Sequence, residues 1–256
     1  MQLVWQQKDF ESDIDFILFH QRDNTPKWWR KRLFDVYIDL NYKYAYALPE
    51  SKRFNYITKK MKKASDESQD IINKTIKVFQ KNWSRLANGL NNAYRSAFDN
   101  DCSDILNDMT ANVGLNPICP RDISNHSFDV FYFFKPEYAM TVALHEITHM
   151  VWFHFWQKHF HDDPNEYNAP HLKWLLSEIV VETIIRNSMI NDLISQPQYI
   201  AYSYFYDMKI GNKPIFDTMK DLYLGRRDIY DFMEKAYNWI KSNEPELRKK
   251  IAESEK

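Results

Sequence analysis

Residues 145–149 read His-Glu-Ile-Thr-His. On an α-helix the two histidines stand four residues apart and share one face. Neutral imidazoles at that spacing can hold one zinc ion. Glu146, one step round the helix, can reach a water on such a metal and serve as a general base. The surroundings sharpen this expectation. The stretch from Met140 to Trp156, MTVALHEITHMVWFHFW, is apolar on nearly every side, and a helix that is hydrophobic all round is buried. Burying two histidines and a glutamate is costly unless something compensates. A bound metal compensates, and its binding energy adds to the stability of the fold. The plain alternative is a pair of core histidines hydrogen-bonded to backbone or to each other, with Glu146 a helix-surface charge.

A tetrahedral catalytic zinc takes three protein ligands and keeps its fourth position for water. Candidates for the third ligand lie in Trp174–Ile185, WLLSEIVVETII, a second apolar helical run with two carboxylates, Glu178 and Glu182, on one face. The intervening residues 161–170 are a loop by their Pro, Asp and Asn content. From His149 to a helix end near Phe160 is about 16 Å, and back from Pro170 Glu178 is about 12 Å and Glu182 about 18 Å along the axis. Both carboxylates therefore come level with His149, and reach alone does not choose between them. Val180, Val181, Ile184 and Ile185 argue against the alternative of a solvated acidic stripe.

His145, Glu146 and His149, followed by a glutamate on a second helix, resemble the gluzincin branch of the zincin metallopeptidases over residues 128–185. In that family the second helix often carries Glu-x-x-x-Asp or a related pair. The first acid binds zinc, and the residue four later holds the first histidine. The resemblance implies Zn²⁺ as cofactor, Glu178 as third ligand and Glu182, standing where the family often has Asp, as the outer partner of His145. Such partners fix the tautomer and raise ligand basicity. It further implies hydrolysis of a peptide or protein substrate by a metal-activated water, with Glu146 as general base. Tyr202, Tyr204, Tyr206 and Arg226 are available to stabilise the oxyanion, and the sequence does not rank them. A zincin branch with a third histidine in an extended motif fits worse, because Trp152 and Phe155 occupy its glycine and histidine positions. His154, His159 and His161 are at the wrong spacing and read as surface or loop residues. Two other readings remain: a non-catalytic zincin-like metal-binding or regulatory protein, and a helical interaction module with a coincidental motif.

The elements that must position these residues follow. Residues 127–134, SFDVFYFF, are aromatic and β-branched and predict a strand. Pro136 and Glu137 then open the metal helix. Residues 110–115, TANVGL, are a second strand able to pair with the first. This strand-then-helix order resembles the zincin upper sheet, whose edge strand often binds substrate. The expected fold is α+β, predominantly α-helical, a zincin-like core with a small β-sheet packed near the HExxH helix. It forms one domain over 1–256, with a helical region 1–105, the metal-site core 106–190 and a helical region 191–256 ending in a charged, frayed tail. Thr25-Pro26 starts a helix running toward Ala47, ended by Pro49. A second helix spans Ser65–Asn88 and is closed by Gly89, with Ile72, Ile76, Phe79, Trp83 and Leu86 as core. A further helix covers Ile229–Ile240.

Composition narrows the function classes. The four glycines are isolated, so there is no Gly-rich phosphate loop. The formal net charge is −1, which provides no field for nucleic acid or an anionic membrane. The clusters Lys59–Lys63 and Trp28–Arg32 read as solvated surface. Cys102 and Cys119 could pair but form no framework, which suits a reducing compartment. With no signal-peptide pattern and no apolar run long enough for a membrane span, the expectation is a cytoplasmic protein. The sequence does not fix the oligomeric state.

Overall fold

The computed structural model describes residues 1–194 and 201–254. Parts of the expected helical region 191–256 therefore lie outside the described residues. In chain order the elements are β1 (Leu3–Gln7), α1 (Phe10–Phe19), α2 (Lys27–Val36), α3 (Tyr42–Ala47), α4 (Glu50–Phe98), α5 (Ser103–Leu106), β2 (Met109–Gly114), β3 (Arg121–Asp122), β4 (Ser127–Phe131), α6 (Pro136–Phe160), α7 (Leu172–Arg186), β5 (Lys209–Ile210), β6 (Lys213–Pro214), α8 (Ile215–Leu224) and α9 (Ile229–Ser254). The protein is α+β and predominantly α-helical. It divides into two compact units. One takes Leu3–Trp83 and Met109–Ala139; the other takes Met1–Gln2, Ser84–Asp108 and Met140–Lys256.

The first unit contains the four-stranded sheet, in the order β1-β2-β4-β3. β1 runs parallel to β2, pairing Leu3 with Met109 through Gln7 with Val113. β2 runs parallel to β4, pairing Thr110 with Ser127 through Gly114 with Phe131. The short β3 closes the far side antiparallel to β4. Parallel pairing requires a long crossover, and α1 to α5 supply it between β1 and β2. Central parallel strands are buried on both faces. Accordingly β2 and β4 are buried almost throughout, whereas β1, at an edge, alternates at its start. The strands expected at 110–115 and 127–134 are thus present and paired, and β4 stops at Phe131. Trp5 packs edge-on against Phe79 at 5.4 Å and beside Trp83 at 6.3 Å. Ile72, Phe79 and Trp83 are buried as expected, while Ile76 and Leu86 are half-buried.

Three helix boundaries differ from the sequence expectation. The helix starting after Pro26 stops at Val36, and a separate α3 begins at Tyr42 after Asn41, whose side chain accepts the Tyr44 N–H as its cap. An Asx cap satisfies an orphan N–H of the first turn and so makes a new start favourable. The helix placed at Ser65–Asn88 is part of the 49-residue α4, which passes through Gly89. A Cβ on Gly89 would lie 3.1 Å from Leu193 Cδ2. Gly89 therefore serves close packing inside a helix and does not end one. The helix expected over 229–240 continues to Ser254, through Pro245, with Glu244–Arg248 and Glu246–Lys250 paired at i,i+4 along it.

Candidate metal centre

The site is built on α6 and α7, in the second unit. α6 has no polar stripe because it is enclosed: Leu144, Ile147, Met150, Val151, Trp152, Phe153 and Trp156 are all buried. Rings from several elements fix its rotation. Phe155 stacks on Phe98 at 5.8 Å, Trp152 meets Phe232 of α9 edge-on at 5.8 Å, and Phe153 stacks on Tyr167 at 4.3 Å. The Tyr94 hydroxyl, on α4, bonds the Leu144 carbonyl at 3.1 Å and the Thr148 hydroxyl at 2.9 Å. This pins the turn that lies between the two histidines.

A polar clamp ties the end of α6 to the start of α7. Trp156 Nε1 donates to Asp162 Oδ2 at 2.9 Å, and the Tyr167 hydroxyl donates to Asp162 Oδ1 at 2.8 Å. Lys173, in the first turn of α7 and nearly buried, reaches Asp162 at 2.5 Å and also pairs with Glu166. Burial opposes the charge of Lys173, but its bonds to the two carboxylates outweigh that and raise its pKa. Burial likewise works against the charge of Asp162, and its donors, Lys173 foremost, still leave its pKa lowered. The clamp sets the axial offset of the two helices and so the level at which α7 faces α6.

At that level the expected residues come together. The two imidazole Nε2 atoms of His145 and His149 are 3.0 Å apart. The Glu178 carboxylate faces both, with Oε2 3.7 Å from His145 Nε2 and Oε1 3.6 Å from His149 Nε2. Glu146 Oε1 lies 3.9 Å from His145 Nε2, and ligand atoms of His145, Glu146 and His149 all fall within 4.8 Å of one another. His149 is fully buried, Glu178 and Glu146 nearly so, and His145 retains a little exposure. Ligand atoms around a tetrahedral zinc with bonds of about 2.1 Å are roughly 3.4 Å apart, close to the three separations seen here. The donor set, two imidazole nitrogens and a carboxylate oxygen, suits zinc. Two carboxylates, Glu146 and Glu178, are buried against the imidazoles, and charges in such places call for compensation. A divalent cation held by the two imidazoles and Glu178 would supply it.

Compared with models of known families, with characterised proteins and with solved structures, the chain matches none. Its chemistry is read from its own side chains.

The remaining candidates are placed as follows. Glu182 is buried one turn beyond Glu178 on α7, and Arg186 Nε donates to its Oε1 at 2.8 Å. Its Oε2 is buried with no hydrogen-bond partner. Neither acid belongs to a solvated stripe. His154 lies 3.2 Å from Asp104, and His159 bonds Glu234 at 2.8 Å and stacks on Tyr230. Of the four residues available for an oxyanion, Arg226 is committed to Asp99 and to the carbonyls of Tyr223 and Ala97. Tyr202 and Tyr204 stack on each other at 5.5 Å, and Tyr206 shares a hydrogen bond with Arg186. Cys102 and Cys119 are buried thiols, not joined to each other. No helix among the described residues is long and apolar enough to cross a membrane. Sequence reasoning missed Arg186 and the Lys173 clamp. The Glu182–Arg186 spacing of four is a readable pair signal; the clamp joins a loop to a helix and has no local signature.

Proposed function

We propose that the protein is a zinc-dependent metallopeptidase of the gluzincin type, acting on peptide or protein substrates in the cytoplasm. The observation that carries this reading is the convergence of His145, His149 and Glu178 on one buried point, with Glu146 beside it. In this reading His145, His149 and Glu178 hold the ion and Glu182 backs His145. When bound, zinc supplies a Lewis acid that polarises a carbonyl and makes water a nucleophile near neutral pH. The chain's own residues do the rest. The Glu146 carboxylate accepts the proton of the attacking water and then donates it to the departing amine nitrogen. The buried walls of α6 and α7 exclude bulk water, which strengthens each of these interactions. The reading includes the zincin-like core expected from the sequence. Two features support that core: β4 delivers the chain directly into the ligand helix, and a short antiparallel strand precedes β4.

Glu146→Gln tests it. The amide keeps the shape of the side chain but cannot accept the proton. Zinc content should stay at the wild-type level while cleavage of a mixed peptide library falls by about 10²–10⁴-fold. Equal cleavage by the two proteins would sink the mechanism. Zinc binding with no cleavage by the wild type would move the assignment to a non-catalytic, zincin-like metal-binding protein.

A further inference from the structure

α7 carries Glu178, Glu182 and Arg186 at intervals of four residues, so successive members lie one turn, about 6 Å, apart along one face. Glu178 faces the imidazoles. Glu182 is nearly buried, and its Oε1 takes the Arg186 Nε–H at 2.8 Å. Arg186 is about one-third exposed. It is braced by a side-chain hydrogen bond with Tyr206. Tyr206 is itself held by the Ala201 amide at 3.3 Å and by its ring contact with Phe216 at 5.0 Å. An i,i+4 ion pair on an open helix surface is worth a few tenths of a kcal/mol. This pair differs because its acid is inside the protein. Taking away the arginine would leave a buried carboxylate uncompensated, and that carboxylate sits one turn from a metal ligand.

We propose that Arg186, braced by Tyr206, is a positioning residue of the metal centre and acts through Glu182. Its guanidinium holds the Glu182 carboxylate by Oε1, which leaves Oε2, a buried acceptor with no hydrogen-bond partner, as the atom through which Glu182 would back His145 in the zinc reading. The inference rests on the zinc reading of the site. Outer partners of metal ligands typically account for about 10–100-fold in metal affinity. Arg186 is one step further out, so its own share falls at the lower end of that range.

The test is the zinc dissociation constant of the whole chain, measured by competition with a chromophoric chelator. It compares wild type, Arg186→Gln, Arg186→Lys, Glu182→Gln, the double variant Glu182→Gln/Arg186→Gln and His149→Ala, each checked for fold by circular dichroism. Arg186→Gln should weaken zinc binding about tenfold and Glu182→Gln about 10–100-fold. Arg186→Lys, which keeps a charged donor, should restore most of the loss. The double variant should bind no more weakly than Glu182→Gln alone, because residues acting in one chain are not additive. If Arg186→Gln does not fold, Tyr206→Phe carries the test, with a loss of about two- to fivefold expected for one hydrogen bond. Wild-type affinity in folded Arg186→Gln, or a double variant whose losses multiply, overturns the inference and leaves the zinc site standing. Failure of the wild type to bind zinc, or unchanged binding in His149→Ala, overturns the zinc reading and the inference with it. A purely structural role for Arg186 would lower thermal stability without moving the zinc constant.

Discussion

Asp13 offers a test of the physical reasoning that is independent of the metal. It lies on α1 and is almost wholly buried. Its Oδ2 accepts the Leu115 backbone N–H at 2.5 Å, and its Oδ1 is buried with no hydrogen-bond partner. Burial drives its pKa up from 3.8 to about 7; the Asp129 charge adds to the rise, while the Leu115 and Asn116 amides and Lys8 pull against it. Asp129 is itself buried and held 3.0 Å from Lys8. Because the folded value lies above the unfolded one, the folded state binds the extra proton between them. Stability contributed by protonated Asp13 is therefore full below pH 3.8 and is lost as the pH rises from there through about 7. At 1.36 kcal/mol per pH unit the loss amounts to about 4 kcal/mol. Asp13→Asn keeps an acceptor for the Leu115 amide and cannot ionise. The assay is urea unfolding followed by circular dichroism, on wild type and variant, at intervals from pH 4.5 to 8. Stability of the variant relative to wild type should climb by several kcal/mol across that range and level off above pH 7.5. Parallel pH profiles would refute the assignment of a buried, neutral Asp13.

Other expected outcomes concern the supports of the fold and the site. In Gly114→Ala the added Cβ would lie 2.5 Å from Asp13 Oδ2 and 2.9 Å from Lys8 Cβ. It should cost about 1–3 kcal/mol by overpacking, read as a lower thermal midpoint; an unchanged midpoint would contradict the close approach. Tyr94→Phe removes the hydroxyl bonded to Leu144 and Thr148 and should lower stability by about 1 kcal/mol, measured by denaturant unfolding. Lys173→Met strands Asp162 and Glu166. With both carboxylates still partly hydrated, the loss is discounted to about 2 kcal/mol, and zinc affinity should fall with it as the α6–α7 offset loosens. Unchanged zinc affinity in that variant would show that the clamp does not set the ligand geometry.

The two helices α6 and α7 were legible because their signals are local and strong. A motif of fixed spacing sits in an all-apolar run, and Pro136 marks the start of α6 where the structure places it. The loop over 161–170 and the second apolar run located α7 well enough to bring both acids level with His149. Choosing between Glu178 and Glu182 took the resemblance; in the structure Glu178 faces both imidazoles and Glu182 engages Arg186. Gly89 misled because a glycine after an apolar helical run has the same local appearance whether it ends a helix or makes room for a distant side chain. Only the approach of Leu193 distinguishes the two. β1 went unseen because five residues with two buried side chains carry little period, and its pairing with β2 spans more than a hundred residues of chain. The break between α2 and α3 was signalled by Asn41, an Asx cap that the helical composition on both sides concealed.

The central claim is that His145, His149 and Glu178 form one zinc site. Metal analysis of the 256-residue chain, purified without a metal-affinity tag and dialysed against zinc and then against buffer, tests it directly beside His149→Ala and Glu178→Ala. The account predicts about one zinc per chain in the wild type and near none in either variant, with all three proteins folded. A wild type that retains no zinc, or a Glu178→Ala variant that retains as much as the wild type, would contradict it.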